Sequence, residues 1–341
     1  MKKNMLYIYP FCFLTKGRHR FSIYDSLHKK IHLFDIELFD IAKNQFREST
    51  IEEILSQHNS KDCEVIQLFI NYLIENDLGR FIDDIQNFPP MEEQWDVPFK
   101  IKRCIIDIRD VWHGFDAIFS QLSKLLCPKI EIRAFRPLKL EEFKEIVGTF
   151  QRYDFRVLFL LIPFDNALTK DKNIKDLADI LDNEYRVMIN IYGVSENLDN
   201  RIKKLKDGSK PLSYCVSTSR KLISGRDACG IINHKNFHEM DIAEIMENKK
   251  YNGCLNRVVS IDENGQIKNC PSMSKTYGNI KTDSILDVCE KEDFKKIWCI
   301  NNSMIEDCKE CEFRIICLGC RAYLTNPSDL YSKPLKCNYI P

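Results

Sequence analysis

Between Cys308 and Cys320 the chain reads CKECEFRIICLGC, four thiols separated by two, five and two residues. Thiols this close constrain a fold more than any apolar pattern, because a metal held by thiolates can replace a hydrophobic core. The chain holds 15 cysteines in 341 residues. Cys12, Cys63, Cys104 and Cys127 stand singly in apolar surroundings and read as small buried hydrophobes. From Cys215 onward the cysteines crowd. Cys229, Cys254, Cys270, Cys308, Cys311, Cys317, Cys320 and Cys337 would serve two four-thiolate sites.

Disulfides are not the expected use, because the chain reads as cytoplasmic and a reducing compartment keeps thiols from pairing. The start, MKKNMLYIYPFCFLTKG, has a short apolar run broken by proline and tyrosines and lacks the small-residue cleavage site of a signal peptide. No stretch approaches the ~18 apolar residues of a membrane-spanning helix. Fifty basic and 50 acidic residues cancel. Composition therefore gives no electrostatic reason to expect nucleic acid or an anionic membrane as partner.

The pattern divides the chain into segments of unlike character within an α/β fold class. In 1–88, LYIYPFCFL, RFSIYD and KIHLFD, separated by the turn-like TKGRH and SLHKK, predict a three-strand meander. Helical patterns follow over Ile36–Asn44 and from Thr50, where Glu53 completes a capping box. A third, Asp62–Glu75, carries Val65, Ile66, Phe69, Ile70 and Leu73 at helical spacing and stops near Gly79. Three strands and three helices suggest a winged-helix-like unit. The proline-bearing NFPPMEEQWDVPF makes 89–99 a linker.

In 100–220, apolar strands CIIDI, KIEIRAF, RVLFLLI, RVMINIY and SYCVS alternate with helices near Phe115–Leu126, Leu140–Phe150 and Ile174–Leu181. That alternation predicts βα units and a parallel sheet, as a partial (β/α) barrel or an open sheet. No phosphate-loop or dinucleotide fingerprint occurs. Residues 221–341 are loop-rich, with a hairpin signal RVVSIDENGQIKNC turning at Asn264-Gly265 and one helical stretch near Lys291–Trp298.

Two chemistries suit the thiols: tetrahedral zinc or iron–sulfur clusters. A zinc ribbon pairs two C-x-x-C knuckles across about fifteen or more residues. Here the Cys308/Cys311 and Cys317/Cys320 pairs are only five residues apart, a tight run more typical of cluster binding.

The order of Cys254, Gly265 and Cys270, the run Cys308 to Cys320, and distant Cys337 resembles a SPASM domain, the C-terminal extension of many peptide-modifying radical S-adenosylmethionine enzymes. The resemblance implies two [4Fe–4S] clusters, with Zn2+ as the alternative. One cluster would use Cys308, Cys311, Cys317 and Cys337. The other would join Cys320 with Cys254 and Cys270, and Cys229 is the choice for its remaining ligand. Cys289, Cys299 and Cys215 read as packing residues.

The strand CIIDI is followed by RDVWHGFDAIF, without the C-x3-C-x2-C triad that such enzymes place there. No S-adenosylmethionine cofactor is therefore expected. Together with YPFCFLTKG, FPPMEEQWD, CLNRVVSID, NGQIKNCPSM and CEFRIICLGCRAY, this combination resembles the SPASM domain peptide maturases of grasp-with-spasm systems over nearly the whole chain. The implied partners are the leader of a ribosomal precursor peptide and an ATP-grasp ligase. Residues 1–88 would then be a PqqD-like recognition unit, 100–220 a barrel without its reactive centre and 221–341 the cluster domain. A strand edge at Lys30–Phe34 beside the third helix would take the leader by strand addition. A redox peptide-modifying enzyme and a zinc-stabilised interaction module are the alternatives, and no catalytic residue is assigned.

Two further constellations read as ordinary. His234 and His238 stand four apart but lack the zinc-protease pattern and read as surface histidines. Asp107, Asp110 and His113 could form an acid–base group at the end of the first parallel strand, but read better as strand-end caps.

Overall fold

A computed structural model describes residues 4–94, 96–165, 180–181, 184–195, 216–226, 229–233 and 237–341. Most of the expected helix near Ile174–Leu181, the start of SYCVS with Cys215, and His234 lie outside the described residues. The fold is mixed α/β and splits into two compact units, each built from separated stretches of chain. The first comprises Met1–Asp96, Ile232–Gly253 and Ile300–Pro341; the second comprises Val97–Ile231 and Cys254–Cys299.

In the first unit, LYIYPFCFL forms two strands rather than one, β1 (Met5–Ile8) and β2 (Cys12–Lys16). Pro10 sits in the turn between them, where the Cys12 N–H donates to the Tyr9 carbonyl at 2.9 Å. Strand β2 continues through β3 (Arg20–Asp25) and β4 (Lys30–Asp35) as the expected antiparallel meander. Strand β1 instead pairs antiparallel with β5 (Gly79–Ile82). Gly79 therefore opens a strand that periodicity did not indicate.

The helical run after β4 is irregular, a 3-10 turn at Ile36–Leu38 leading into a π-turn at Ile41–Gln45 and a last α turn at Phe46–Glu48. The Ile51–Ser56 helix has the expected capping box. Thr50 Oγ1 accepts from the Glu53 N–H, and the Glu53 carboxylate accepts from the Thr50 N–H at 2.8 Å. Asn59 caps the Ser60–Glu75 helix. That helix buries Ile66, Phe69, Ile70 and Leu73, while Val65 is exposed and falls outside the stripe.

Strand β3 is covered on both faces. Phe21 and Ile23 pack with Ile66, Phe69 and Leu73 on the helical side. Tyr24 on the other face packs with Phe13, Met240, Ile245, Phe313 and Ile316. Full burial of such side chains is worth about 1.5–3 kcal/mol each. The meander is thus the middle layer of the unit, with helices on one side and the cysteine-rich segment on the other.

The second unit holds an eight-stranded sheet in the order β10-β9-β8-β7-β6-β11-β12-β13. Strands β6 (Arg103–Ile108), β7 (Lys129–Ala134), β8 (Val157–Pro163), β9 (Val187–Tyr192) and β10 (Val216–Ser219) are parallel and sequential, as alternating strands and helices predict. The Phe115–Lys124 helix buries Phe115, Ile118, Phe119 and Leu122, and Leu140–Phe150 buries Phe143, Ile146, Val147 and Phe150. Both stripes join the sheet's apolar core.

After β10 the chain returns to lay β11 (Val258–Ile261) parallel to β6 on that strand's other side. Strands β12 (Gln266–Lys268) and β13 (Gly278–Asn279) then add antiparallel. The expected hairpin is β11–β12. Its turn needs Gly265, at φ +80°, and the Asp262 carboxylate accepts from the N–H groups of Asn264 and Gln266 at 3.0 Å.

Candidate metal centre

Cys308, Cys311, Cys317, Cys320 and Cys337 all belong to the first unit and stand as half-buried thiols. Turns bring them inward. The Cys311 N–H donates to the Cys308 carbonyl at 3.0 Å, and the Phe313 N–H reaches the Cys311 Sγ at 3.4 Å. Cys337 enters from a separate loop that a bridge to Ile232 holds.

Burial pushes the Cys308 thiol up to about 11 and the thiols of Cys311 and Cys317 up to about 12. Cys337 adds to the rise in all three, Cys308 adds to that of Cys311, and Cys308 and Cys311 add to that of Cys317. Cys308, Cys311, Cys317 and Cys337 therefore lie near enough for their charges to bear on one another. Cys320 acts on Arg321. Among the described residues no three His, Cys, Asp or Glu side chains converge as a ready metal site. A metal binding here would displace the thiol protons. The donor set, soft sulfur on short turns and partly shielded from water, suits zinc or an iron–sulfur group.

Three buried asparagines that the sequence reading missed fix the turn carrying these thiols. Asn248 Nδ2 donates to the carbonyls of Ile315 and Cys317 at 3.0 and 3.2 Å. Asn252 Nδ2 donates to Ile300 and Gly319 at 3.2 and 2.8 Å. Asn302 Nδ2 donates to Arg314 and Cys317 at 2.8 and 2.6 Å. Gly319, at φ +63°, has no room for a side chain, since a Cβ there would lie 2.2 Å from Asn302 Oδ1. Asparagine side chains carry no periodic signal, so spacing alone does not announce them.

Cys229, Cys254 and Cys270 belong to the second unit, where all three act on Arg103. Arg103 Nη2 donates to the Cys254 carbonyl at 3.3 Å, and Nη1 lies 3.7 Å from Glu131. Burial opposes the Arg103 charge, but Glu131 and the three sulfurs outweigh it and hold its pKa above the ordinary value. Its Nε is buried without a hydrogen-bond partner.

The acid–base group does not assemble. Asp107 lies inside β6 rather than capping it, and Arg133 clamps its carboxylate through bonds of 2.7 and 2.8 Å. Buried His113 bonds the Asp107 main-chain carbonyl through Nε2 at 2.9 Å, and Asp110 is exposed. His238 is exposed and pairs with Glu244 at 3.3 Å, as expected of a surface histidine. Cys289 packs in the apolar core on the Ile285–Glu290 helix, which the sequence reading missed; Cys299 is exposed and is not a packing residue. Cys12, Cys104 and Cys127 are buried as expected, whereas Cys63 is half-buried.

At the meander's edge, no strand among the described residues pairs with the outer side of β4. His32 Nδ1 lies 2.9 Å from the Tyr72 hydroxyl, and Phe34 packs edge-on against the Tyr72 ring. Leu68 and Val65, from the same helix as Tyr72, are exposed.

The chain matches no family model, and no curated protein matches it. Among the described residues no helix is long and apolar enough to cross a membrane.

Proposed function

We propose that this chain is a metal–thiolate maturation protein that holds a ribosomal precursor peptide by its leader and works with an ATP-grasp ligase. The observation that supports the reading is that Cys308, Cys311, Cys317 and Cys337 bear on one another's charge within one unit, with the Cys317 turn fixed by asparagines. That quartet is the set a SPASM-like [4Fe–4S] cluster would use. In this reading the chain supplies a sulfur cradle, and the cluster when bound would supply electron transfer or rigidity. Reductive cleavage of S-adenosylmethionine is not part of the proposal, because the loop after β6 holds no cysteine.

The meander and its helices fit a PqqD-like, winged-helix-like recognition unit. A disordered leader would add as a strand along β4, its side chains meeting Leu68 and Tyr72. The parallel sheet would be the remnant of a (β/α) barrel that orients the peptide for the ligase.

A second reading is a redox maturase. It draws on the Cys229, Cys254 and Cys270 thiols gathered around Arg103, which would hold a second centre in contact with substrate.

Anaerobic purification of the full chain, with iron and acid-labile sulfide analysis, tests the cluster. Brown protein carrying both supports it, and colourless protein with zinc and no iron overturns it. Titration with the leader of a ribosomal precursor peptide found encoded beside the chain would test the leader site, and absence of binding overturns that part. Conversion of the precursor by the protein without the ligase would favour the redox maturase.

A further inference from the structure

Arg321 is among the largest fully buried side chains of the protein, only 1% exposed. No carboxylate lies within ion-pair distance of it among the described residues. Its partners are main-chain carbonyls. Nη1 donates to Leu330 and Ser332 at 3.0 and 2.7 Å, and Nε reaches Gly319 at 3.4 Å. Nη2 is buried with no hydrogen-bond partner. A guanidinium never loses its charge at physiological pH, and an isolated charge in a protein interior is strongly unfavourable unless something opposes it.

Arg321 directly follows Cys320, and its Nε bond to the Gly319 carbonyl sets it against the turn that carries the Cys317 and Cys320 thiols, while Cys308 also bears on its charge. As neutral thiols they cannot balance the charge. As thiolates on a metal they carry the net negative charge that this position lacks. The three carbonyl bonds occupy Nε and Nη1 and leave Nη2 without a partner.

We propose that Arg321 is the resident counter-charge of the metal–thiolate centre built by Cys308, Cys311, Cys317 and Cys337. It rests on the reading that these cysteines hold a metal group. As a positioning residue, Arg321 acts through the thiolates: it favours their deprotonated, metal-bound form and the more negative redox state of an iron–sulfur group. Loading sends the thiol protons to solvent, and reduction by an added one-electron reductant such as dithionite places an extra negative charge near the guanidinium. Loss of the positive charge should therefore make the group harder to reduce.

The test compares the full-length wild type with Arg321→Lys and Arg321→Gln, each reconstituted anaerobically with iron and sulfide. The readouts are metal content, circular dichroism and a spectroscopic redox titration. In Arg321→Gln the ratio of reduced to oxidised cluster at a fixed ambient potential should fall at least about tenfold. Arg321→Lys, which keeps the charge but not the planar fork, should stay within about threefold of the wild type. An unchanged potential in loaded Arg321→Gln overturns the proposal, as does an Arg321→Lys variant no better loaded than Arg321→Gln, because then the carbonyl bonds alone matter. Should the wild type take up zinc and no iron, the cluster reading fails separately. Zinc should then bind Arg321→Gln at least about tenfold more weakly than Arg321→Lys, and equal affinities overturn the counter-charge. A wild type that takes up neither metal overturns both.

Discussion

Ser22 Oγ donates to the main-chain carbonyl of Glu312 over 2.6 Å, joining the central strand of the meander to the cysteine run 290 residues later in the chain. Arg20, two residues earlier on the same face, pairs with the buried Glu312 carboxylate and donates to the Tyr339 hydroxyl at 2.8 Å. The meander thus has a polar seam to the thiol-bearing segment as well as an apolar one.

A fragment limited to residues 1–88 should therefore fail to fold alone. It would expose Phe13, Tyr24 and Ile31, which the cysteine-rich segment covers, and burial of such side chains is worth about 1.5–3 kcal/mol each. Circular dichroism and amide exchange check this: a fragment with the full chain's protection in β3 would contradict it.

Asn302→Ala should lower stability by about 1–3 kcal/mol, because the Arg314 carbonyl loses its side-chain donor and Cys317 keeps only Asn248. Metal content should fall with it. Urea unfolding paired with metal analysis reads both effects.

Asp107→Asn leaves the Arg133 guanidinium buried without its carboxylate, for which about 3–5 kcal/mol of lost stability is expected. A double change, Asp107→Leu with Arg133→Met, should recover most of it, since the pair serves the fold of the sheet rather than chemistry. Urea midpoints of the two variants decide this.

His113 should make the second unit less stable in mild acid. Burial holds its pKa below the ordinary value, so the folded chain refuses a proton that the unfolded chain accepts. Stability is then full above about pH 6.5, the unfolded value, and falls as pH drops below it toward the folded value. His32, depressed by burial in the same direction, does likewise in the first unit. Unfolding midpoints at several pH values should show a slope that His113→Gln reduces.

Leu68→Asp should leave stability within about 0.5 kcal/mol, because the side chain is 69% exposed. Precursor affinity should fall at least about tenfold if the leader lies against it. Calorimetric titration of the full chain separates that loss from an effect on folding.

Local signals were legible in the residues, and long-range pairings were not. Thr50 with Glu53 announced a helix start, and Asn264-Gly265 a hairpin, because each is settled within a few residues. The alternation of apolar strands and helices gave the parallel order of β6 to β10. The partnership of β1 with β5 depends on Gly79–Ile82, more than 70 residues away, and no short window contains it. Likewise VVSI reads as half of a hairpin, although all four residues are buried because β11 lies between β6 and β12. Cysteine spacing picked out the candidate ligands. Their framework escaped, since Asn248, Asn252 and Arg321 mean nothing until the carbonyls they meet have been placed.

Because the first unit is assembled from three separated stretches, its middle layer waits during synthesis. When β3 leaves the ribosome, Phe13 and Tyr24 have no cover, and the second unit's strands are made before Phe313 and Ile316 arrive. The nascent protein therefore carries an open apolar face for most of its translation. Termination before residue 240 would leave that face bare, and termination between there and residue 313 would leave it only partly covered, a ready target for chaperones and proteases.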